Sequence, residues 1–189
     1  LGVIAPGIGA QYKLSNALAL FGGIHRGYSV PGPVGSASQN LKEETSLGSE
    51  LGLRVATPQG FRADVTLFNT DFQNLIVENN IGGGGSGVTQ NAGNIRSRGL
   101  EFAAEVDAGK IFDRGFKNPY SLSFTYSDAR LVGNANSTVS SDDTTIFSGG
   151  FDGARVPYVP VFQAAFGTGI ETDVIGIHTD IEYSGETFT

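Results

Sequence analysis

The sequence predicts an all-β fold, an antiparallel up-and-down sheet of about eight strands. Three observations carry that expectation. Apolar and polar residues alternate with a period of two in segment after segment, and no segment favours the 3.6-residue period of a helix. Short and long connections alternate along the chain. The composition is rich in Gly (28) and Phe (13) and only 16% charged, where about a quarter is ordinary for a soluble domain.

The strands follow in order. "PGIGAQYKL" (6–14) and "ALALFGGIHR" (17–26) open the series. In 50–56, Leu51, Leu53 and Val55 alternate with Glu50, Gly52 and Arg54. In 61–68, Phe61, Ala63, Val65 and Leu67 alternate with Arg62, Asp64 and Thr66. In 99–108, Leu100, Phe102, Ala104, Val106 and Ala108 oppose Glu101, Ala103, Glu105 and Asp107. The clearest case is 120–127, where Tyr120, Leu122, Phe124 and Tyr126 interleave with three serines and Thr125. Phe162, Ala164, Phe166 and Ile170 share one side of 162–170. In 173–183, Ile175, Ile177, Ile181 and Tyr183 face away from His178, Asp180 and Glu182. Alternate side chains of a strand point to opposite faces, so each segment has one oily and one polar face.

Short connections fall at Ser15-Asn16, 57–60, 109–118 and 171–173, and long ones at about 27–42, 81–90 and 133–155. Tight hairpins thus gather at one end of the sheet and long loops at the other, the arrangement of an up-and-down sheet whose ends meet different environments. The oily face has two readings from the residues alone, a wall against lipid or a layer packed on a soluble core. No apolar run reaches 18 residues, so no transmembrane helix is encoded, which leaves spanning strands open. Tyr120 and Tyr126 bracket Leu122 and Phe124 as an interfacial girdle brackets an apolar band, although a core strand also carries Tyr when its hydroxyl finds a partner. The net charge of −7 and twelve scattered Lys and Arg residues exclude a nucleic-acid binder, which needs a basic patch. The absence of Cys removes disulfides, thiolate metal sites and a cysteine nucleophile. No Met is present and the chain opens on Leu1, which reads as an internal fragment.

Four stretches resemble the TonB-dependent outer-membrane receptors of Gram-negative bacteria. "LALFGGIHRGYSVPGP" (18–33) is similar to the family's strand that ends in Arg-Gly-aromatic before Pro. "LKEETSLGSELGLRV" (41–55) has its Glu followed by apolar-Gly-apolar-Arg, and "FRADVTLFNTDFQNLIV" (61–77) matches a family pattern at Phe68, Asp71, Phe72 and Asn74. "NAGNIRSRGLEFAAE" (91–105) has Asn-x-Gly followed by Gly-apolar-Glu. Together they cover about 18–105 in family order, and the wording is nearest the ferric-citrate and related iron-chelate receptors. The resemblance implies a transmembrane β-barrel of about 22 strands filled by a plug, of which this chain carries a partial set of about eight. It implies energised uptake of an iron chelate or similar small solute, with lipid bilayer, plug domain and TonB as partners. The chain departs from the whole by lacking a plug and a coupling segment, and it ends "SGETFT" without a terminal aromatic.

Candidate chemistry is sparse. Arg26 and Tyr28 stand where a strand enters a long loop, and Arg suits carboxylate and phosphate; they are the candidate ligand-binding residues, against a role in turn structure and interior hydrogen bonding. Glu101, Glu105 and Asp107 have two readings, an acidic patch for a cationic ligand and, favoured over it, polar-face charges paired with Arg or Lys on neighbouring strands, or solvated. His25 and His178 lie far apart, without clustered acids, and no metal site or cofactor is expected. Asp142 and Asp143 lack an EF-hand framework, "IGGGGSG" (81–87) lacks the Gly-Lys-Ser/Thr of a phosphate loop, and no Gly-x-Ser-x-Gly elbow is present. No catalytic set emerges, so the chain is not read as an enzyme. Two rivals remain: a self-contained eight-strand membrane barrel with an adhesive or structural role, and a soluble β-sandwich binding module.

Overall fold

A computed structural model describes residues 4–30, 41–78, 89–91, 93–133 and 151–188. Its strands are β1 (Gly7–Lys13), β2 (Leu18–Ser29), β3 (Glu44–Ala56), β4 (Arg62–Gln73), β5 (Ile76–Glu78), β6 (Thr89–Asn91), β7 (Asn94–Asp107), β8 (Pro119–Val132), β9 (Phe162–Glu171) and β10 (Gly176–Ser184). One four-residue helix, α1 (Ala108–Ile111), follows β7. Eight strands form one sheet in the order β1-β2-β3-β4-β7-β8-β9-β10, and β5 and β6 form a separate two-stranded hairpin. Every pairing is antiparallel. The eight expected strands are therefore present in the expected up-and-down order.

The tight ends are held by side chains that replace missing backbone partners. Ser15 Oγ accepts from the Ala17 and Leu18 amides. Thr57 Oγ1 accepts from the Phe61 amide at 3.2 Å, and Thr172 Oγ1 from Val174 and Ile175. The connection expected as a short one at 109–118 overlaps α1. Asp107 caps it, accepting from the Asn118 amide at 2.9 Å and the Lys110 amide at 3.3 Å. Asp107 is thus a turn anchor and not a polar-face charge paired with a base.

The sheet is a single layer. Among the described residues only Ala19, Ile95, Leu131 and Val156 are buried hydrophobics, while Leu51 and Leu67 are 54% and 55% exposed. Among the described residues no second layer covers the oily face, unlike the two packed layers of the soluble-sandwich rival. The order of the sheet ends at β1 on one side and β10 on the other, so the eight strands do not close on themselves, as the self-contained small barrel requires. Among the described residues a small core, Ile95, Leu131 and Val156 with Phe72, Leu75 and Val159 around it, sits at the long-loop end. There the segment 153–156 pairs along the last turn of β8, through Leu131–Ala154 and Val156–Ala129 backbone bonds.

Candidate membrane-facing wall and its rims

Directly paired residues of neighbouring strands share a face, so the register converts sequence parity into rows. One row of the oily face runs Tyr12, Leu20, Leu53, Val65, Phe102, Phe124, Ala164, Tyr183 across all eight strands. The next runs Gly22, Leu51, Leu67, Leu100, Tyr126, Phe162, and on the other side lies Leu18, Val55, Ala63, Ala104, Leu122, Phe166, Ile181. These rows contain no charged residue. From Phe162 to Ile170 the band measures roughly 27 Å along β9, or about 21 Å once the strand tilts by ~40°. That is close to the ~25 Å apolar band of membrane barrels.

Aromatic rings cross from β8 to β9 on this face. Tyr126 and Phe162 centroids lie 5.2 Å apart, Phe124 and Phe162 6.0 Å, and Tyr120 and Phe166 6.4 Å. Such tilted aromatic pairs add about 0.5–1.5 kcal/mol each beyond burial. Tyr120 and Tyr126 bracket the row as expected.

The opposite face is polar but not uniformly so. Arg54 Nε donates to Asp64 Oδ1 at 2.7 Å, and its guanidinium lies 5.1 Å from the centroid of Phe21. Glu101 is flanked by Thr66 and Thr125, and Glu105 by Arg62 and Ser121. Among the described residues neither Glu makes an ion pair, so solvation is the observed alternative. Phe21 and Phe68 also point to this face, each covering a glycine on the next strand, Gly52 and Gly99. An apolar ring laid over a bare backbone patch explains these exceptions to the all-polar reading. His25 and His178 share the polar face, on β2 and on β10. Among the described residues no three potential ligands gather for a metal ion.

The stretches that carry the family resemblance have structural roles at the long-loop end. Phe72 joins the small core, and Asn74 takes a left-handed backbone with φ of 55°, a conformation Asn tolerates better than most residues. The carbonyl of Asn74 accepts from Asn91 Nδ2 at 2.8 Å, and Glu44 Oε2 accepts from the Ile76 amide at 2.9 Å. These bonds fix the β5–β6 hairpin against the mouths of β3 and β4.

Arg26 and Tyr28 lie in β2 with the parity of Leu20. Both therefore project from the oily face, above its apolar rows, and not into the interior, so interior hydrogen bonding is not their role. What sequence reasoning missed is that Arg26 has company. Asp71, Arg96 and Arg130 stand in its row, with Leu47 between. Arg96 Nε donates to Asp71 Oδ1 at 2.6 Å. One row nearer the band, Asp128 lies between Arg130 Nε at 2.8 Å and Arg98 Nη2 at 3.6 Å. Alternation in reversed phase through 94–98 and 128–132 was the available signal. The Gly-rich tip 81–87, Asp142 and Asp143 lie outside the described residues, as do most of the long loops.

Asp107 stands at the short-turn end, beyond the band. The Asn118 amide, then those of Lys110 and Gly109 and the charge of Lys117, hold its acidity below the ordinary aspartate range, against an opposing effect of burial. A lowered folded-state value makes this contribution fully present above the unfolded value near 3.8. It is lost as pH falls through the folded value. Asp107→Asn is expected to lower the urea midpoint of the full-length barrel at pH 7, with the gap to wild type closing on acidification below about pH 4. A gap independent of pH excludes the charge as its cause.

A single antiparallel sheet with an uninterrupted apolar band on one face, a polar opposite face and ends sorted by loop length has the design of a membrane β-barrel wall. A family model described as TonB dependent receptor-like, beta-barrel, matches residues 2–186, and the chain belongs to that family. Solved structures agree in fold. The ferric yersiniabactin uptake receptor FyuA from Yersinia pestis is 19% identical with a TM-score of 0.59, over 93% of this chain and 24% of that one. The ferric citrate transporter FecA gives 17% and 0.65, over 95% and 25%. The copper transporter OprC gives 18% and 0.60, over 93% and 25%. This chain spans about a quarter of the length of these proteins. No curated protein sequence matches it significantly. No helix of the described residues is long and apolar enough to cross a membrane, which says nothing of strands.

Proposed function

We propose that this chain forms part of the wall of a bacterial outer-membrane receptor for energised uptake of an iron chelate or similar small solute. The observation that carries the reading is the unbroken apolar band on one face of a TonB-receptor-type sheet, opposite a face of charges and hydroxyls. In the full-length protein the oily face meets lipid and the polar face surrounds a plug domain, with TonB transmitting the proton gradient. The long connections at 27–42, 81–90 and 133–155 recognise solute outside the cell, with Arg26 and Tyr28 at the foot of the first. Barrel loops on a rigid scaffold are the usual carriers of such specificity.

The test is uptake by cells carrying or lacking the full-length gene, grown on limiting iron and offered labelled ferric citrate and a panel of other ferric chelates. At least one chelate is expected to accumulate only when the receptor and a functional TonB are both present, and to stop accumulating when the proton gradient is collapsed. Uptake unaffected by loss of the gene across the panel would overturn the iron-chelate assignment.

A further inference from the structure

The short-turn end of the wall is not uniformly polar. The β3–β4 turn reads Thr57-Pro58-Gln59-Gly60, the composition of a hairpin that faces water. Two other connections expose apolar side chains instead. In the β9–β10 turn Val174 is 89% exposed and Ile175 61%, and in α1 Phe112 is 67% exposed beside the exposed Ile111.

Both groups lie on the oily side. Ile175 continues the parity of Ile177, which pairs with Ile170 at the lower edge of the apolar band. Ala108 continues the parity of Val106, and Ile111 and Phe112, three and four residues on, share its side of the helix. Lys110 takes the opposite side, about 200° around the helix from Phe112. Its Cδ lies 3.2 Å from where a Cβ on Gly60 would stand, and it borders a cavity with Arg62, Glu105 and Asp180 of the polar face.

The two apolar points are held as one unit whose backbone is already paired. Lys117 and Glu171 exchange both backbone bonds, at 2.9 and 3.0 Å, and their side chains meet at 3.1 Å. The Val174 and Ile175 amides both end on Thr172 Oγ1, and the Ile175 carbonyl accepts from the Thr172 amide at 2.8 Å. In the other connection the Phe112 amide donates to the Ala108 carbonyl and the Arg114 amide to that of Gly109. Donors satisfied in this way can enter a water-poor layer without the cost of an orphan group. The Arg114 guanidinium lies 5.7 Å from the Phe112 ring centroid and 5.9 Å from that of Phe116. Among the described residues it makes no ion pair. A guanidinium resting on exposed rings keeps its edge N–H groups for a phosphate.

We propose that α1 and the β9–β10 turn form a two-pronged foot that enters the headgroup layer of the inner leaflet, with Arg114 on a phospholipid phosphate. Continuity selects lipid as the occupant, because the prongs prolong the apolar band past Ile170 and Ile177 without changing sides. Ile175 stands two residues beyond Ile177, roughly 7 Å along the strand or about 5 Å deeper at a ~40° tilt. A headgroup layer is roughly 5–7 Å thick on each side of the hydrocarbon. The inference rests on the outer-membrane reading above, which sets the long loops outside the cell and the short turns within.

The test puts a bimane fluorophore on Phe112→Cys, Val174→Cys, Gln59→Cys or Leu51→Cys in the full-length receptor, with any other cysteine replaced. Each variant is refolded into phosphatidylethanolamine–phosphatidylglycerol vesicles containing lipid with a nitroxide on its headgroup or midway along its chain. Heat-dependent electrophoretic mobility verifies the fold. Phe112→Cys and Val174→Cys are expected to lose most of their emission to the headgroup nitroxide, and Leu51→Cys to the chain nitroxide, while Gln59→Cys keeps its own. Adding Arg114→Gln should restore part of the Phe112→Cys emission; no change there overturns the phosphate contact. Quenching at Leu51→Cys without quenching at Phe112→Cys and Val174→Cys overturns the foot alone, as does equal quenching at Gln59→Cys. Shielding of the two foot positions from aqueous iodide without quenching by lipid means that a protein covers them, which also overturns it. If neither lipid quenches Leu51→Cys, the outer-membrane reading falls first and this one with it.

Discussion

Phe102→Arg is expected to deplete the full-length receptor from the outer-membrane fraction, while Glu101→Arg assembles nearly as wild type. Phe102 lies in the middle of the longest apolar row, between Val65 and Phe124. An arginine there places a guanidinium near the midplane, at a cost of roughly 2–4 kcal/mol. The neighbouring residue points the other way. Glu101 sits between Thr66 and Thr125 on the polar face, where a reversed charge is hydrated and has the carboxylate of Glu105 four residues away on the same face. The measurement is the fraction of each variant that runs as a heat-modifiable, protease-resistant barrel after folding into vesicles. Equal assembly of the two would mean that the faces are assigned to the wrong media. Parity is the whole of the difference, because the substitutions are adjacent and introduce the same side chain.

That parity was legible in the sequence, and so were the eight strands of the main sheet and their order, but not the β5–β6 hairpin. What was not legible is how far the strands run toward the long loops. Alternation placed the start of β3 at 50 and the end of β4 at 68, whereas they reach Glu44 and Gln73; β7 begins at Asn94, not 99, and β8 ends at Val132, not 127. In the extensions of β4, β7 and β8 the pattern inverts. Arg96, Arg98, Asp128 and Arg130 take the outward positions, while Ile95, Ala129 and Leu131 turn inward to the small core around Val156. Above the apolar band the outside is polar, and the inward side chains of Ile95 and Leu131 pack with Val156 of the segment beside β8, so apolar residues change sides without any break in the strand. Reading for one oily face stops at that inversion. α1 was hidden for a different reason, since four residues hold barely one helical turn and show no period. Arg26 was visible as a residue but not as a member of a rim, because its partners come from β4, β7 and β8, between 45 and 104 positions away in sequence.

The inversion passes through Gly99, and substitution there is expected to rival Phe102→Arg in effect. Gly99 pairs with Phe68 on β4 and with Ser127 on β8. A Cβ added to it would collide with the carbonyl oxygen of Tyr126, and would meet the Phe68 ring at 2.8 Å. The ring could rotate; the carbonyl belongs to the ladder between β7 and β8 and cannot withdraw without opening it. Gly99→Val is therefore expected to destabilise the folded barrel by on the order of 3 kcal/mol, the upper range for overpacking, with Gly99→Ala smaller in the same direction. Gly115, which has nothing within 4 Å of an added Cβ, should accept Ala with no measurable change. The two obstacles separate in a double variant. If the ring alone excluded a side chain, Phe68→Ala would restore the stability of Gly99→Ala; the Tyr126 carbonyl predicts no rescue in urea titrations of the refolded barrel. On this account the Gly of the Gly-Leu-Glu stretch is required for close strand approach, and Leu100 and Glu101 beside it divide between the oily and the polar face.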